Sequence, residues 1–262
     1  EGLVRLRALA PATPLFWATF LLLYLALPLS ELMIFRRLWR LPLSGFGVLL
    51  RKRISNEILL GYSGEVYFYA WARGRAGLSA SPFGAVKDVG ILSALVGNLV
   101  TLAMMALAWP MVRHLDLGRY SGPVAGSAAI IIALSILMLA AGGRLFSLSR
   151  PELRFVFLVH LARILVMTFA SALLWHLALG TVALGYWLML ATLQLLVSRL
   201  PLVPNKDLVF ATLTAFLIGH DSEVSALMAM IATLTLATHL LAGGLLVLTG
   251  MADDRAAGQP GA

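Results

Sequence analysis

The sequence has no cysteine, few charges and fewer acids. The lack of cysteine excludes disulfides, thiolate metal sites and cysteine nucleophiles. Charged residues are 12% of the 262 and hydrophobic residues 60%, against roughly 25% charged in a soluble domain. Mean hydropathy is +0.92, and no polar stretch is long enough to form a soluble domain. We therefore read residues 1–262 as a single transmembrane domain. The 20 Lys and Arg outnumber the 12 Asp and Glu, giving a net charge of +8. In a soluble protein that excess would suggest nucleic acid. Here the bases gather at the ends of apolar runs with no aromatic-interleaved basic patch, so positive-inside bias and anionic lipid account for them and nucleic acid is not expected. Nucleotide and catalytic signatures are also missing: no G-x-x-x-x-G-K-[ST], H-E-x-x-H or G-x-S-x-G occurs. No ATP-driven pump and no cofactor are expected. No secretory signal is visible at the start, and the chain opens at Glu1, so a further helix before it is expected.

About 20 residues are needed per crossing, and the apolar runs predict about six full spans. They are Leu15–Phe35, Val89–Val112, Val124–Ala141, Phe155–Leu179, Thr181–Ser198 and Val224–Thr249. The expected fold is all-α, a polytopic transmembrane helix bundle. Two stretches break the pattern. The first, about 44–72, is apolar in bulk but carries Asn56, Glu57 and Glu65, breaks at Gly61 and Gly64, and is flanked by Arg51, Lys52, Arg53, Arg73 and Arg75. Residues 36–88 hold nearly half of all Lys and Arg, so both ends of this stretch are expected inside, as a re-entrant hairpin. The second, about 200–222, begins within R-L-P-L-V-P-N-K-D (199–207) and contains a run too short to span. It is expected to start from the inside. The tail with Asp253 and Asp254 is expected outside. Paired broken segments in two halves of a chain point to a transporter-type site. Small-residue stripes (Gly90, Ala94, Gly97, Thr101; Gly122, Gly126, Ala129, Ala133) suit close helix approach, including by a second copy or a membrane partner.

The run I-S-N-E-I-L-L-G-Y-S-G-E (54–65) resembles the first motif of the flippase-like integral membrane family that includes the transmembrane region of lysylphosphatidylglycerol synthases. Asn56, Gly61, Gly64 and Glu65 match in order and spacing. Arg73 and Arg75 stand where the motif's basic residues belong, and Lys87 with Asp88 open the next helix. Pro201 to Asp207 resembles the second motif, with Asn205 and Lys206 where the family has glycines. The resemblance implies movement or headgroup handling of a lipid across the membrane and does not identify the lipid. The basic residues suit an anionic or polyprenyl-type lipid, and a bacterial inner membrane is the expected location.

An intramembrane carboxylate costs several kcal/mol unless paired or hydrated. Glu65, with Asn56 and the backbone freed around Gly61 and Gly64, is read either as a headgroup site or as the partner of Arg51, Lys52, Arg53 or Arg73 at the interface. For Glu57 the interfacial pairing is preferred. His160 and Arg163 fall on one face of the fourth span, with Ser171 close to that face, as a fixed charge suited to phosphate. Snorkelling of Arg163 is the plainer alternative. Asn205 and Lys206 suit an anion at the start of a short helix, or a solvated cap. Lys87 and Asp88 are read as a local pair, Ser222 or Asp221 as an N-cap, His239 and Gln194 as interhelical hydrogen bonders, and Tyr62, Tyr67, Tyr69 and Trp71 as interfacial anchors. Translocation of a lipid or lipid-linked headgroup is the leading expectation. A lipid-modifying membrane enzyme and a non-catalytic subunit are its rivals.

Overall fold

A computed structural model describes residues 13–73, 82–112, 145–199, 204–218 and 222–257, with isolated helical positions between 126 and 136. Among them are eight α-helices and no strands: α1 (Pro14–Trp39), α2 (Phe46–Ile58), α3 (Ser63–Arg73), α4 (Pro82–Val112), α5 (Arg150–Ala178), α6 (Leu184–Ser198), α7 (Lys206–Ile218) and α8 (Glu223–Ala257). Local signals set their ends. Pro14 opens α1, where its missing N–H costs nothing, and Arg40 closes it in the left-handed region at φ 54°, donating to the Arg36 carbonyl. A capping box starts α5, with the Ser149 N–H and hydroxyl both donating to Glu152. The Ser222 hydroxyl caps α8 by accepting the Ser225 N–H at 3.1 Å.

Four helices are long and apolar enough to cross a membrane: Pro14–Trp39, Phe83–Leu107, Arg150–Ala178 and Glu223–Thr249. The expected span Val124–Ala141 lies outside the described residues apart from a few helical positions. The expected span Thr181–Ser198 is corrected. Its helix, α6, has 15 residues, which rise about 22 Å, short of the roughly 30 Å of a hydrocarbon core.

Two apolar clusters mark the ends of the bundle. At the basic end, Phe35, Leu38 and Trp39 of α1 pack with Leu49 of α2, Phe68 and Ala72 of α3, Ala85 and Val89 of α4, and Val156 of α5. At the opposite end Phe16 and Phe20 pack with Trp175 of α5, Trp187 of α6, Phe210 of α7 and Leu227 of α8. Both arms of the α2–α3 hairpin thus belong to the basic end, and its turn at 59–62 points inward, as a re-entrant element should. Its depth is large. Arg53 of α2 donates to the Tyr24 carbonyl, 15 residues and therefore about 22 Å from the end of α1.

The second broken element differs from expectation. The α6 helix starts in the opposite-end cluster, and on α7 Phe210 stacks on Trp175 at that end. Between them the chain turns back deep inside, where the Asn205 N–H donates to the Glu57 carbonyl at 2.8 Å. The α6–α7 hairpin therefore opens toward the end opposite to α2–α3. The prolines and bases at 199–207 looked like a surface loop because a break and a cation are the usual marks of one. The structure places Arg199, Asn205 and Lys206 at the meeting point of two half-length hairpins.

That reversal also turns α8 round. Tyr24 bonds His239, Gly243 lies against Ile54, and Leu246 lies against Gly47. Progress along α8 is thus progress toward the start of α2, and α8 runs parallel to α1. Its C-terminal part heads for the basic end, contrary to the expected outside tail. Leu15, Leu21, Leu22, Phe169, Leu241, Leu245 and Leu248 stand exposed around α1, α5 and α8, an apolar rind larger than water-facing surfaces carry.

The absence of native cysteine makes this topology directly testable. Single-cysteine variants Leu43→Cys and Thr249→Cys should react with a membrane-impermeant maleimide from one side, and Thr181→Cys only from the other. Reaction of Thr249→Cys from the same side as Thr181→Cys would contradict the parallel course of α1 and α8.

Candidate functional site: a buried charge network between two hairpins

The first motif's residues build the turn. Asn56 Oδ1 accepts the Gly64 N–H at 2.7 Å, and the Ser63 hydroxyl donates to the Ser55 carbonyl at 2.8 Å. A Cβ on Gly64 would run into the Lys52 carbonyl, so glycine is needed for α3 to lie this close to α2. Gly61 sits in the turn itself, and beside it Tyr62 takes the left-handed region at φ 74°. Asn56, Gly61 and Gly64 therefore serve the fold of the hairpin. Tyr62, exposed at its inner tip, is not an interfacial anchor at the level of Trp71: nine residues of helix separate them, about 13 Å.

Glu65 meets Lys52 at 3.3 Å, the pairing expected for an interfacial role, but the place is not the interface. Lys52 is 4% exposed and also bonds Glu31 of α1 at 2.5 Å. Glu31 is the residue that sequence reasoning missed. A lone acid near the end of an apolar helix is a visible signal, masked because Arg51, Lys52 and Arg53 read as an interfacial flank on the inside. One lysine thus ties α1, α2 and α3 together, and Glu65 Oε2 keeps no hydrogen-bond partner.

Arg53, 9% exposed, is held by a proline. Pro28 lies inside α1 and has no N–H to give the carbonyl four residues back, that of Tyr24. Arg53 donates to that freed carbonyl and rests over the Tyr24 ring at 4.7 Å. Tyr24 in turn bonds His239 Nδ1 at 3.1 Å, so His239 is a satisfied interhelical hydrogen bonder.

His160 and Arg163 both face α4. His160 is fully buried, with neither ring nitrogen in good hydrogen-bonding geometry, and Arg163 Nη2 donates to Ser93 at 3.0 Å. Arg163 does not snorkel. It lies within electrostatic reach of Glu31, Arg53 and Arg199. Arg199 follows α6 and reaches α4 at Gly97, where a Cβ would collide with its guanidinium. Gly97 thus admits an arginine where its stripe was expected to admit a helix. Gly90, Gly126, Ala129 and Ala133 are exposed, and no neighbour fills the space at either glycine. Ser93 and Gly97 are one turn apart, so the two arginines meet α4 on one face, where their like charges repel.

Glu57 is more than an interfacial pair. Its carbonyl accepts from Asn205, and its carboxylate faces the Lys206 backbone N–H with Arg53 in reach. The Lys206 Nζ donates to the Ser198 carbonyl. Asn205 adopts φ 46° and caps α7 by accepting the Leu208 N–H. It is a residue that tolerates the left-handed region, standing where the resemblance has glycine. Asn205 and Lys206 are therefore brought into the cluster. Arg73 is not: it is exposed at the far end of α3. Lys87 and Asp88 do pair at 3.4 Å, but their main work is elsewhere. Asp88 accepts the N–H groups of Ser147 and Leu148, and Lys87 donates to the Leu145 carbonyl, fastening the segment before α5 to α4.

Among the described residues no group of His, Asp and Glu could hold a metal ion. Two clefts open at the basic end, one of about 240 Å³ beside Arg36 and Arg40, the other of about 500 Å³ between Arg37, Arg150, Arg154, Phe155 and Leu158. No protein-family model, curated protein or solved structure matches the chain.

Removing a buried ion's partner costs about 3–5 kcal/mol. Lys52→Met should therefore lower the unfolding midpoint in detergent by the largest margin of any single change in the network. Adding Glu31→Gln to it should recover part of that loss. Strictly additive effects in the double-mutant cycle would show that the pair is not engaged.

Proposed function

We propose that this chain is a flippase- or scramblase-like protein of the bacterial inner membrane, handling a lipid or lipid-linked headgroup. The observation that carries the reading is the tip-to-tip meeting of two hairpins, opened from opposite ends, around the buried charges of Lys52 and Arg53 and the half-buried charges of Glu57, Glu65, Arg163, Arg199 and Lys206. A polar headgroup crossing an apolar layer needs polar partners at mid-depth, and interrupted segments supply both freed backbone and charge there. In this reading, basic-end clefts collect anionic lipid, the network solvates its headgroup, and parting of the two tips lets it pass. The short motif at Asn56–Glu65 supports the same reading through its resemblance to flippase-like proteins. With no nucleotide-binding motif in the chain, movement is passive or driven by a gradient.

A second reading rests on Glu65 Oε2, a carboxylate oxygen without a partner, which could serve as the base of a headgroup-modifying enzyme. Reconstitution separates the two. Vesicles holding the protein should exchange a fluorescent phospholipid between leaflets faster than protein-free vesicles, and Glu65→Gln should slow the exchange about tenfold, the effect of one lost charge-assisted contact. Unchanged exchange over empty vesicles, together with an altered headgroup by mass spectrometry of lipids from a deletion strain, would favour the enzyme and end the transport reading.

A further inference from the structure

Among the described residues, two arginines in the network have no anion paired with them. Arg163 holds Ser93 with one nitrogen, while its Nε is buried without a partner. Arg199 turns Nε and Nη2 back onto the neighbouring Ser198 hydroxyl and lays Nη1 over the bare backbone of Gly97. Among the described residues no carboxylate approaches either guanidinium within 4.0 Å. Glu31, the carboxylate within electrostatic reach of Arg163, is taken by Lys52. Ser93 and Gly97 lie one helical turn apart, so the two arginines meet α4 on one face. Tyr62, at the inner tip of the first hairpin, is within electrostatic reach of Arg199.

We infer that Arg163 and Arg199, seated on Ser93 and Gly97 of α4, form a binding site for a phosphate-type oxyanion at the junction of the two hairpins. A carboxylate offers two oxygens and satisfies one fork. A phosphate ester offers three oxygens and more than one charge, which suits two guanidinium groups spaced about one turn apart. Gly97 is the enabling residue, because any side chain there displaces the Arg199 guanidinium. Arg199 comes from the α6–α7 hairpin and Arg163 from the long helix α5, so a bound phosphate bridges a broken element to the fixed bundle. The inference rests on the lipid-handling reading and narrows it to phosphate-bearing substrates.

The test uses the purified full chain in detergent, with thermal stabilisation as the readout. Inorganic phosphate should raise the melting temperature in a saturable way that sodium acetate at equal ionic strength does not. Short-chain phosphatidic acid should do so where the matching diacylglycerol does not. Arg163→Gln and Arg199→Gln should each weaken phosphate binding about tenfold or more, since each removes a charge-assisted fork. Gly97→Ala should do the same while leaving every ionisable group in place. Tighter binding of phosphatidic acid than of inorganic phosphate assigns the source to a lipid headgroup, and equal binding assigns it to a free anion; both support the site. No stabilisation of the wild-type chain by either phosphate probe would overturn it, even if the variants fail to fold. Vesicle exchange keeps the two claims apart. If labelled phosphatidylglycerol and a neutral glycolipid move equally fast and phosphate does not bind, this site is wrong and lipid handling stands. If phosphate binds and the variants lose it, but neither lipid moves, the site stands and translocation falls.

Discussion

A charge inside an apolar bundle must be answered by another charge, a dipole or water, and this fold is arranged around that requirement. Lys52 is the centre of it. Its ammonium is out of reach of solvent and lies between Glu31 of α1 and Glu65 of α3. Removing either partner would leave a charge in the apolar interior with less to answer it. The hairpin is thereby fixed to the first long helix at a set depth, which in turn sets where its tip can reach. Glu57 and Tyr62 then stand where the second hairpin turns, and Asn205 closes the gap with one backbone hydrogen bond.

Opening the two hairpins toward opposite ends has a mechanical meaning. The tips meet through the Asn205–Glu57 backbone hydrogen bond and long polar side chains, while the two aromatic clusters lie toward the two ends of the bundle. A layer only two half-hairpins deep separates the two ends of the bundle at that point.

Much of this was legible in the sequence. The all-helical class followed from hydropathy, and the first hairpin followed from bases on both flanks with Gly61 and Gly64 between them. The pairing of His160 with Arg163 on one face followed from a spacing of three. The errors have one physical origin. A cation usually marks an interface, so sequence reasoning sets Lys52, Arg53 and Arg199 at the membrane surface, and misjudges the direction of the second hairpin and of α8 with them. A periodicity argument sees which residues share a face of one helix. It does not see that Pro28 leaves a carbonyl for Arg53, or that Gly97 leaves a seat for Arg199, because in each case the partner lies tens of residues away or more.

The contact between Arg53 and the Tyr24 carbonyl has a further consequence. A proline in a long helix ordinarily gives it a hinge, free to bend because one rung of its ladder is missing. Here the missing rung is supplied by a side chain of another element. The hinge in α1 is therefore latched from outside, and the latch is the inner part of the re-entrant hairpin. If the hairpin withdraws, α1 regains its freedom to bend and loses a bonded carbonyl in the same event. The bend of the first helix and the position of the hairpin are thus one variable, with Arg53 as the linkage between them.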